Sequence, residues 1–200
     1  MEAPITIEYK RPDKVRMEFE LQGMTGIRAF DGETGWFIMP FMGTADPQEM
    51  ADDQLKEIKE QGDWIGGPLV DFEAKGHTVE LVGTEEVEGT EAHKLKITFN
   101  DGDVIHMYLD TEYCLEFKRE SRQQMQGMEI EMTATIGDYK EVGDIVIAHS
   151  VMSTIGDGTA NFDITIDKVE LDVDIDDARF IMPEPPPPAE ETKEEPPADG

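Results

Sequence analysis

The sequence predicts a mainly β fold, α+β in class, built from antiparallel strands with one clear helix. Three observations carry this. Apolar and polar residues alternate strictly through several segments, as in sheets with one buried and one solvated face. Short glycine-containing connections join those segments, so that neighbours in sequence pair as antiparallel neighbours. One segment carries a clear apolar stripe at helical spacing.

In order along the chain, Ile5, Ile7 and Tyr9 alternate with Thr6 and Glu8. Val15, Met17, Phe19 and Leu21 alternate with Arg16, Glu18 and Glu20. Strands at 26–30 and 35–39 follow, joined through "FDGETGW". There the alternation stops, and the seven residues from Trp36 to Met42 are all apolar or proline. The run fits a strand over Trp36–Met39 with both faces covered, ended by Pro40, which has no N–H for a ladder. Asp46 is then a good N-cap, Pro47 suits the first helical position, and Glu49 completes a capping box. Ala51, Leu55 and Ile58 make the helical stripe with Met50 beside it, and Gly62 ends the helix. A second, shorter helix or turn is expected at 68–75.

Further strands are expected at 77–83, 92–99, 103–110, 114–122, 128–136, 146–155 and 160–174. In the fifth of these, Met128, Ile130, Met132, Ala134 and Ile136 alternate with Glu129, Glu131, Thr133 and Thr135. In the last, the parity changes between Ile166 and Val169, which predicts a bulge or bend near Asp167. For 92–110 the register itself can be argued. A three-residue loop Asn100-Asp101-Gly102, with Gly102 left-handed, pairs Phe99 with Asp103, Ile97 with Ile105 and Leu95 with Met107. That gathers the apolar residues on one face, whereas a two-residue loop would set Ile97 opposite His106. The folded domain is expected over 1–182. From Pro183 the chain turns acidic and proline-rich without an apolar pattern, and 183–200 is expected to be a disordered tail.

The net charge of −29 divides into −5 for 183–200 and −24 for the rest. An acidic domain of this kind disfavours nucleic acid and anionic membrane surfaces, which need Lys and Arg for neutralisation; the charge is read as solubility or as the mark of a salt-adapted host. Cys114 is alone, which excludes an internal disulfide and a cysteine-based zinc site, and it is expected to be a buried or half-buried thiol. No stretch approaches the roughly 18–20 apolar residues of a membrane helix, so an integral membrane protein is not expected. No signal peptide is visible.

Candidate chemistry is sparse. None of His77, His93, His106 and His149 lies two or four residues from another, and the preferred register sets His106 opposite Lys96. "DVDIDD" at 172–177 lacks the glycine and glutamate of a calcium loop, and Val173 and Ile175 continue an apolar strand face. Glu85 and Glu86 fall in a polar turn, "GTEEVEG". No Ser, His and Asp frame and no phosphate loop is present, so neither an enzyme nor a cofactor is indicated. The positive signal is methionine, twelve in 200 residues, with Met17, Met39, Met107, Met128, Met132 and Met152 on apolar strand faces. Methionine fills irregular cores and also suits surfaces that adapt to varied apolar ligands.

The stretch "YKRPDKVRMEFELQGMTGIRAFDGETGWFIMPF" resembles the LolA-like outer-membrane lipoprotein-sorting proteins. That superfamily also includes lipid-binding mycobacterial lipoproteins and a periplasmic regulator of the envelope stress response. The carrier pattern of Arg-Pro-Asn, Asp-Gly-Lys-Thr, Trp-Phe and Pro-Phe is met by Arg11-Pro12-Asp13, Asp31-Gly32-Glu33-Thr34, Trp36-Phe37 and Pro40-Phe41. Later stretches, "GPLVDFEAKGHTVELVGTEEVEGTEAHKLKITFNDGDV", "YLDTEYCLEFKRES" and "DDARFIMP", are similar to an uncharacterised bacterial branch of the family. The likeness covers about residues 2–183.

The resemblance implies a strongly curved antiparallel sheet, an incomplete β-barrel, with one or two helices covering its mouth and an apolar cavity for acyl chains. It implies that Arg11, matching the carrier's latch arginine, bonds to the covering helices, and that Val15 sits where the carrier has a cavity phenylalanine. Family members begin with an export signal, a helix and a strand, and by the resemblance Met1 is expected to fall at the start of the second strand; without a lipid-attachment cysteine the chain as written is not itself expected to be a lipoprotein. The expected function is a non-enzymatic, periplasmic carrier of lipoprotein acyl chains or lipids. Val15, Met17, Phe19, Trp36, Phe37, Phe41, Met107 and Met132 are the cavity candidates, and membrane-anchored donor and acceptor proteins are possible partners. The alternative is a periplasmic sensor module that binds one protein partner in an envelope stress pathway. No cofactor, metal or catalytic residue is expected.

Overall fold

In the computed structural model of the chain, residues 3–62, 67–125, 128–156, 158 and 160–184 are described; nearly all of the acidic tail expected at 183–200 lies outside them. The chain divides into two compact units, Met1–Trp64 with Ile175–Gly200, and Ile65–Asp174.

The first unit is a five-stranded antiparallel meander of β1 (Ile5–Lys10), β2 (Lys14–Leu21), β3 (Met24–Phe30), β4 (Gly35–Met39) and β5 (Thr44–Glu49), followed by helix α1 (Asp52–Gly62). The sequence turns work as expected. The Asp31 carboxylate accepts the N–H groups of Glu33 and Thr34 at 2.9 and 2.7 Å, and a single 3-10 turn, Pro40–Met42, ends β4.

The helix start differs from expectation. Residues 46–49 are strand, not the first turn of a helix: Gln48 pairs with Phe37, Glu49 with Trp36, and Pro47 is buried. The Met50 N–H donates to the Gly35 carbonyl at 2.9 Å. Pairing with the open edge of β4 outweighed a local cap. The capping-box arm expected of Glu49 falls instead to Gln54, whose side-chain oxygen accepts the Ala51 N–H at 3.1 Å.

Both faces of this sheet are covered in part. On one, α1 lays Ile58 over Val15 and Phe30, with Tyr9, Met17, Met50 and Leu55 packed around them. Gly35 makes room for it: a Cβ there would lie 2.8 Å from Leu55 Cδ1. Burial pushes the Tyr9 phenol up to about 12. On the other face Ala29 and Trp36 are buried beside Phe180, which returns from the far end of the chain. The indole N–H of Trp36 donates to the Phe180 carbonyl at 2.7 Å. Ion pairs of Asp177 with Lys10 (2.8 Å) and Lys14 (3.3 Å), and of Arg179 with Glu8 (2.9 Å) and Glu18 (3.3 Å), flank it.

The second unit is a seven-stranded antiparallel meander: β6 (Thr78–Val87), β7 (Thr90–Thr98), β8 (Val104–Asp110), β9 (Glu116–Met125), β10 (Met128–Val142), β11 (Ile145–Ile155) and β12 (Ala160–Thr165). Neither sheet closes on itself. The β7–β8 register is the predicted one, Ile97 with Ile105 and Leu95 with Met107, closed by the Gly102 N–H to Phe99 at 3.0 Å. Gly102 has φ +96°, the left-handed region that glycine enters without a Cβ clash. Ile97, Ile105 and Met107 form the core of this unit, with Leu69, Val79, Leu95, Phe99 and Leu109 packed on it. The expected helix or turn at 68–75 is a run of turns, in which the Lys75 N–H donates to the Asp71 carbonyl at 3.0 Å and the His77 N–H to the Phe72 carbonyl at 2.8 Å.

Four local expectations are corrected. β12 ends at Thr165 rather than 174, so no bulge forms at Asp167. The acidic 172–177 segment is not a strand, and Val173 is exposed, because it has no neighbouring strand to pair with. Glu85 and Glu86 lie inside β6, facing Ala92 and Glu91, since the turn falls two residues later at Glu88-Gly89. Cys114 is exposed, in the left-handed conformation of the β8–β9 turn, where the Asp110 carboxylate gathers the N–H groups of Tyr113, Leu115 and Glu112. Those bonds, Tyr113 first, hold Asp110 below the usual carboxylate range.

Candidate functional site

Strand register sorts the candidate residues by face, because side chains alternate. In the five-stranded sheet one face runs in rows. Tyr9, Val15, Phe30 and Gly35 form the first, Ile7, Met17, Arg28 and Phe37 the second, and Ile5, Phe19 and Gly26 the third. Val15 is fully buried beneath α1, and Met17 borders that cluster. Phe19 folds over Gly26, where a Cβ would come within 2.7 Å of its ring, and it meets Phe41 with ring centres 5.6 Å apart. Ile5 and Ile7, at the sheet edge, stay exposed.

Trp36 belongs to the opposite face. It pairs with Ala29 and Glu49, lies under the Arg16 guanidinium at 5.7 Å, and is only 2% exposed. In the apolar run Trp36 is therefore on the side sealed by the C-terminal segment, while Phe37, Ile38 and Met39 are half-buried and Met42, past the end of the strand, is exposed.

Arg11 sits in the exposed turn between β1 and β2, and no described residue pairs with it. The arginine that does reach α1 is Arg28, in the second row, whose Nη1 and Nη2 donate to the two Glu57 oxygens at 3.2 Å each. Beside β5 lies an open depression of about 470 Å³, lined by Phe37, Asp46, Gln48, Glu49 and Gln54 among others. Its carboxylates and amides offer an acyl chain little.

Met107 and Met132 share a face of the seven-stranded sheet. Register carries that face from Leu95 through Met107, Arg119 and Ala134 to Ser153, and in the next row from Ile97 through Ile105, Ser121 and Met132 to Ile155. Towards β8 the face is closed: Met107 is buried. Towards β12 it opens. Met132, Ala134, Ile136, Val151 and Ile155 are half-buried, and Phe162 and Ile164 on β12 are 44% and 41% exposed. Met128 lies on β10, and its side chain is outside the described residues. Met152 is exposed on the opposite face.

A charged pair stands on this apolar face. The β8–β9 register skips one residue between Tyr108–Lys118 and Leu109–Glu116. The skip places Glu116 and Arg119, three apart, on the same side, where a regular strand would oppose them. Arg119 donates from Nε and Nη2 to the two Glu116 oxygens, each at 2.7 Å. Burial opposes the guanidinium charge, and the Glu116 carboxylate more than offsets it, holding Arg119 above its ordinary range. The Tyr139 hydroxyl donates to the Glu116 backbone carbonyl at 2.5 Å, and burial pushes that phenol up to about 12.

The sequence reading missed Arg28, Arg119, Gly26 and Phe180. For Gly26 and Arg28 a signal existed, since each interrupts the apolar parity of its strand. Arg119 carried none, because only the register skip brings it to Glu116. Among the described residues no group of three His, Cys, Asp or Glu side chains is placed to hold a metal, and no helix is long and apolar enough to cross a membrane.

No family model and no curated protein matches the sequence. Solved structures resemble its fold. A protein described as a putative outer membrane lipoprotein-sorting protein domain from Vibrio parahaemolyticus superposes with a TM-score of 0.59 at 13% identity, over 88% of this chain and 79% of its own. A LolA superfamily protein from Nitrosomonas europaea gives 0.57 at 10%, over 90% and 87%. A DUF1329 family protein from Desulfovibrio piger gives 0.61 at 11%, over 88% and 80%.

Proposed function

We propose that this chain, which has the LolA-like fold, is a non-enzymatic carrier of lipoprotein acyl chains or lipids, working in the periplasm in outer-membrane lipoprotein sorting. The observation that carries the reading is the half-open apolar face of the seven-stranded sheet, from Met132 to Phe162 and Ile164. A chain with net charge −29 that leaves such a face uncovered has a use for it. The two neighbours named for lipoprotein sorting and for the LolA superfamily support the class of cargo.

The mechanism is partition. Each methylene moved out of water gains roughly 0.8 kcal/mol, so an acyl chain binds without a polar code, and adaptable methionines suit chains of varied length. Release requires a membrane-anchored acceptor or a movement that lowers affinity. Delipidated protein should take up a fluorescent fatty acid or phospholipid, and native mass spectrometry of freshly purified protein should show lipid masses. Absence of uptake at micromolar concentrations, with the circular dichroism spectrum intact, would defeat the proposal. Capture of one stoichiometric protein from envelope extract instead of heterogeneous lipid would favour a sensor module.

A further inference from the structure

We infer that Arg119 anchors the oxyanion head of an amphiphile, a carboxylate or a phosphate, whose chain lies along the half-open part of this face, from Met132 towards Phe162 and Ile164. This rests on the carrier reading above and names the head group that the same face selects.

The Arg119 guanidinium stands on the apolar face of the seven-stranded sheet. Its register neighbours are Met107 on β8 and Ala134 on β10, so it is set into apolar surface on both sides. A guanidinium has five N–H donors. Two are spent on Glu116. No described residue accepts from Nη1. The Arg119 side chain is 40% exposed against 13% for Glu116, so Arg119 is the partner of the pair that a ligand can reach.

Glu116 acts as a holder. By taking Nε and Nη2 it fixes the guanidinium plane and leaves Nη1 presented, which is the geometry that recognises a second oxyanion. A cationic head is poorly served, because the Glu116 oxygens are the more buried partners and already accept from Arg119. A few placed polar groups in an apolar surface are what orient amphiphilic ligands. Ser121 and Ser153, on the same face, are the hydroxyls nearest in register.

The test compares probes that share a chain and differ in head. Oleate, oleamide and a monoacyl phosphate are titrated into delipidated wild type, Arg119→Met, Arg119→Lys and Glu116→Gln. A charge-assisted hydrogen bond corresponds to about tenfold or more in affinity. Wild type should therefore prefer oleate to oleamide by about tenfold or more, and the ratio should collapse towards one in Arg119→Met. Arg119→Lys should keep part of the preference, and Glu116→Gln should increase it. The phosphate arm tells which oxyanion is favoured. If wild type binds oleate and oleamide alike, or Arg119→Met keeps the wild-type ratio, the anchor is refuted and the carrier reading stands. If no probe binds wild type, the carrier reading fails and the anchor with it. Should Arg119→Met fail to fold, Glu116→Gln and Arg119→Lys still decide, because unchanged ratios in both refute the anchor.

Discussion

Replacing Trp36 separates the stability of the first unit from any role in ligand contact. The indole is almost fully buried and donates to the Phe180 carbonyl at 2.7 Å. Truncation to alanine removes the ring and the donor together. An indole buries about 150–250 Å², worth about 4–6 kcal/mol at 25 cal/mol/Å²; measured aromatic-to-alanine changes in cores run about 3–5 kcal/mol. Trp36→Phe keeps most of the ring and strands the Phe180 carbonyl, which costs about 1–3 kcal/mol. With a urea dependence of about 2 kcal/mol/M, the unfolding midpoint should fall by about 1.5–2.5 M for Trp36→Ala and by about 0.5–1.5 M for Trp36→Phe. Far-ultraviolet circular dichroism measures both. Trp36 lies on the face opposite Val15, Met17, Phe19 and Phe37, so folded Trp36→Ala should take up fatty acid as wild type does. A variant with an unchanged midpoint and lost uptake would put the indole in ligand contact and refute the reasoning.

Two further outcomes follow from the packing. Gly26→Ala forces a Cβ to within 2.7 Å of the Phe19 ring and 2.9 Å of Phe41. It should destabilise by about 1–3 kcal/mol, and Phe19→Leu in the same chain should recover part of that loss; additive destabilisation in urea unfolding would deny the contact. Burial pushes Tyr9 and Tyr139 up to about 12, so the folded state favours the neutral phenols. Their contribution is complete below the ordinary tyrosine pKa of about 10 and is lost as pH rises through about 12. Absorbance titration of folded protein should show these two ionising late, and all four tyrosines ionising together near 10 with the fold intact would contradict it.

The parts of the fold that were legible in the sequence are those fixed by local pattern. Alternation located the strands, and the Asn100-Asp101-Gly102 loop fixed a register because a slip by one residue would have split Leu95 and Ile97 from Ile105 and Met107. The start of α1 was misread for a physical reason. Asp46, Pro47 and Glu49 satisfy every local rule for a helix N-terminus, yet the open edge of β4 offered them a ladder, and the bond from Met50 to Gly35 commits the segment to it. Local propensity is worth tenths to about one kcal/mol per residue, and tertiary pairing overrides it.

The candidate site was legible as composition and not as geometry. Methionines and aromatics on strand faces pointed to apolar surface, but parity within one strand cannot say what covers a face. Trp36 and Phe37 are neighbours in sequence and lie on opposite sides of the sheet, one sealed by Phe180 and the other paired with Arg28 in the row that leads to Met17. What covers Trp36 comes from 144 residues away, a separation no periodicity reports. Arg119 makes the same point for polar groups. A regular β9 would turn Glu116 and Arg119 to opposite faces, and the pair exists because the register skips one residue between Glu116 and Lys118. A bulge is a property of two strands together, so it becomes readable only once the partner strand is known. Where the ligand head would bind therefore depends on the one feature of β9 that its own sequence does not announce.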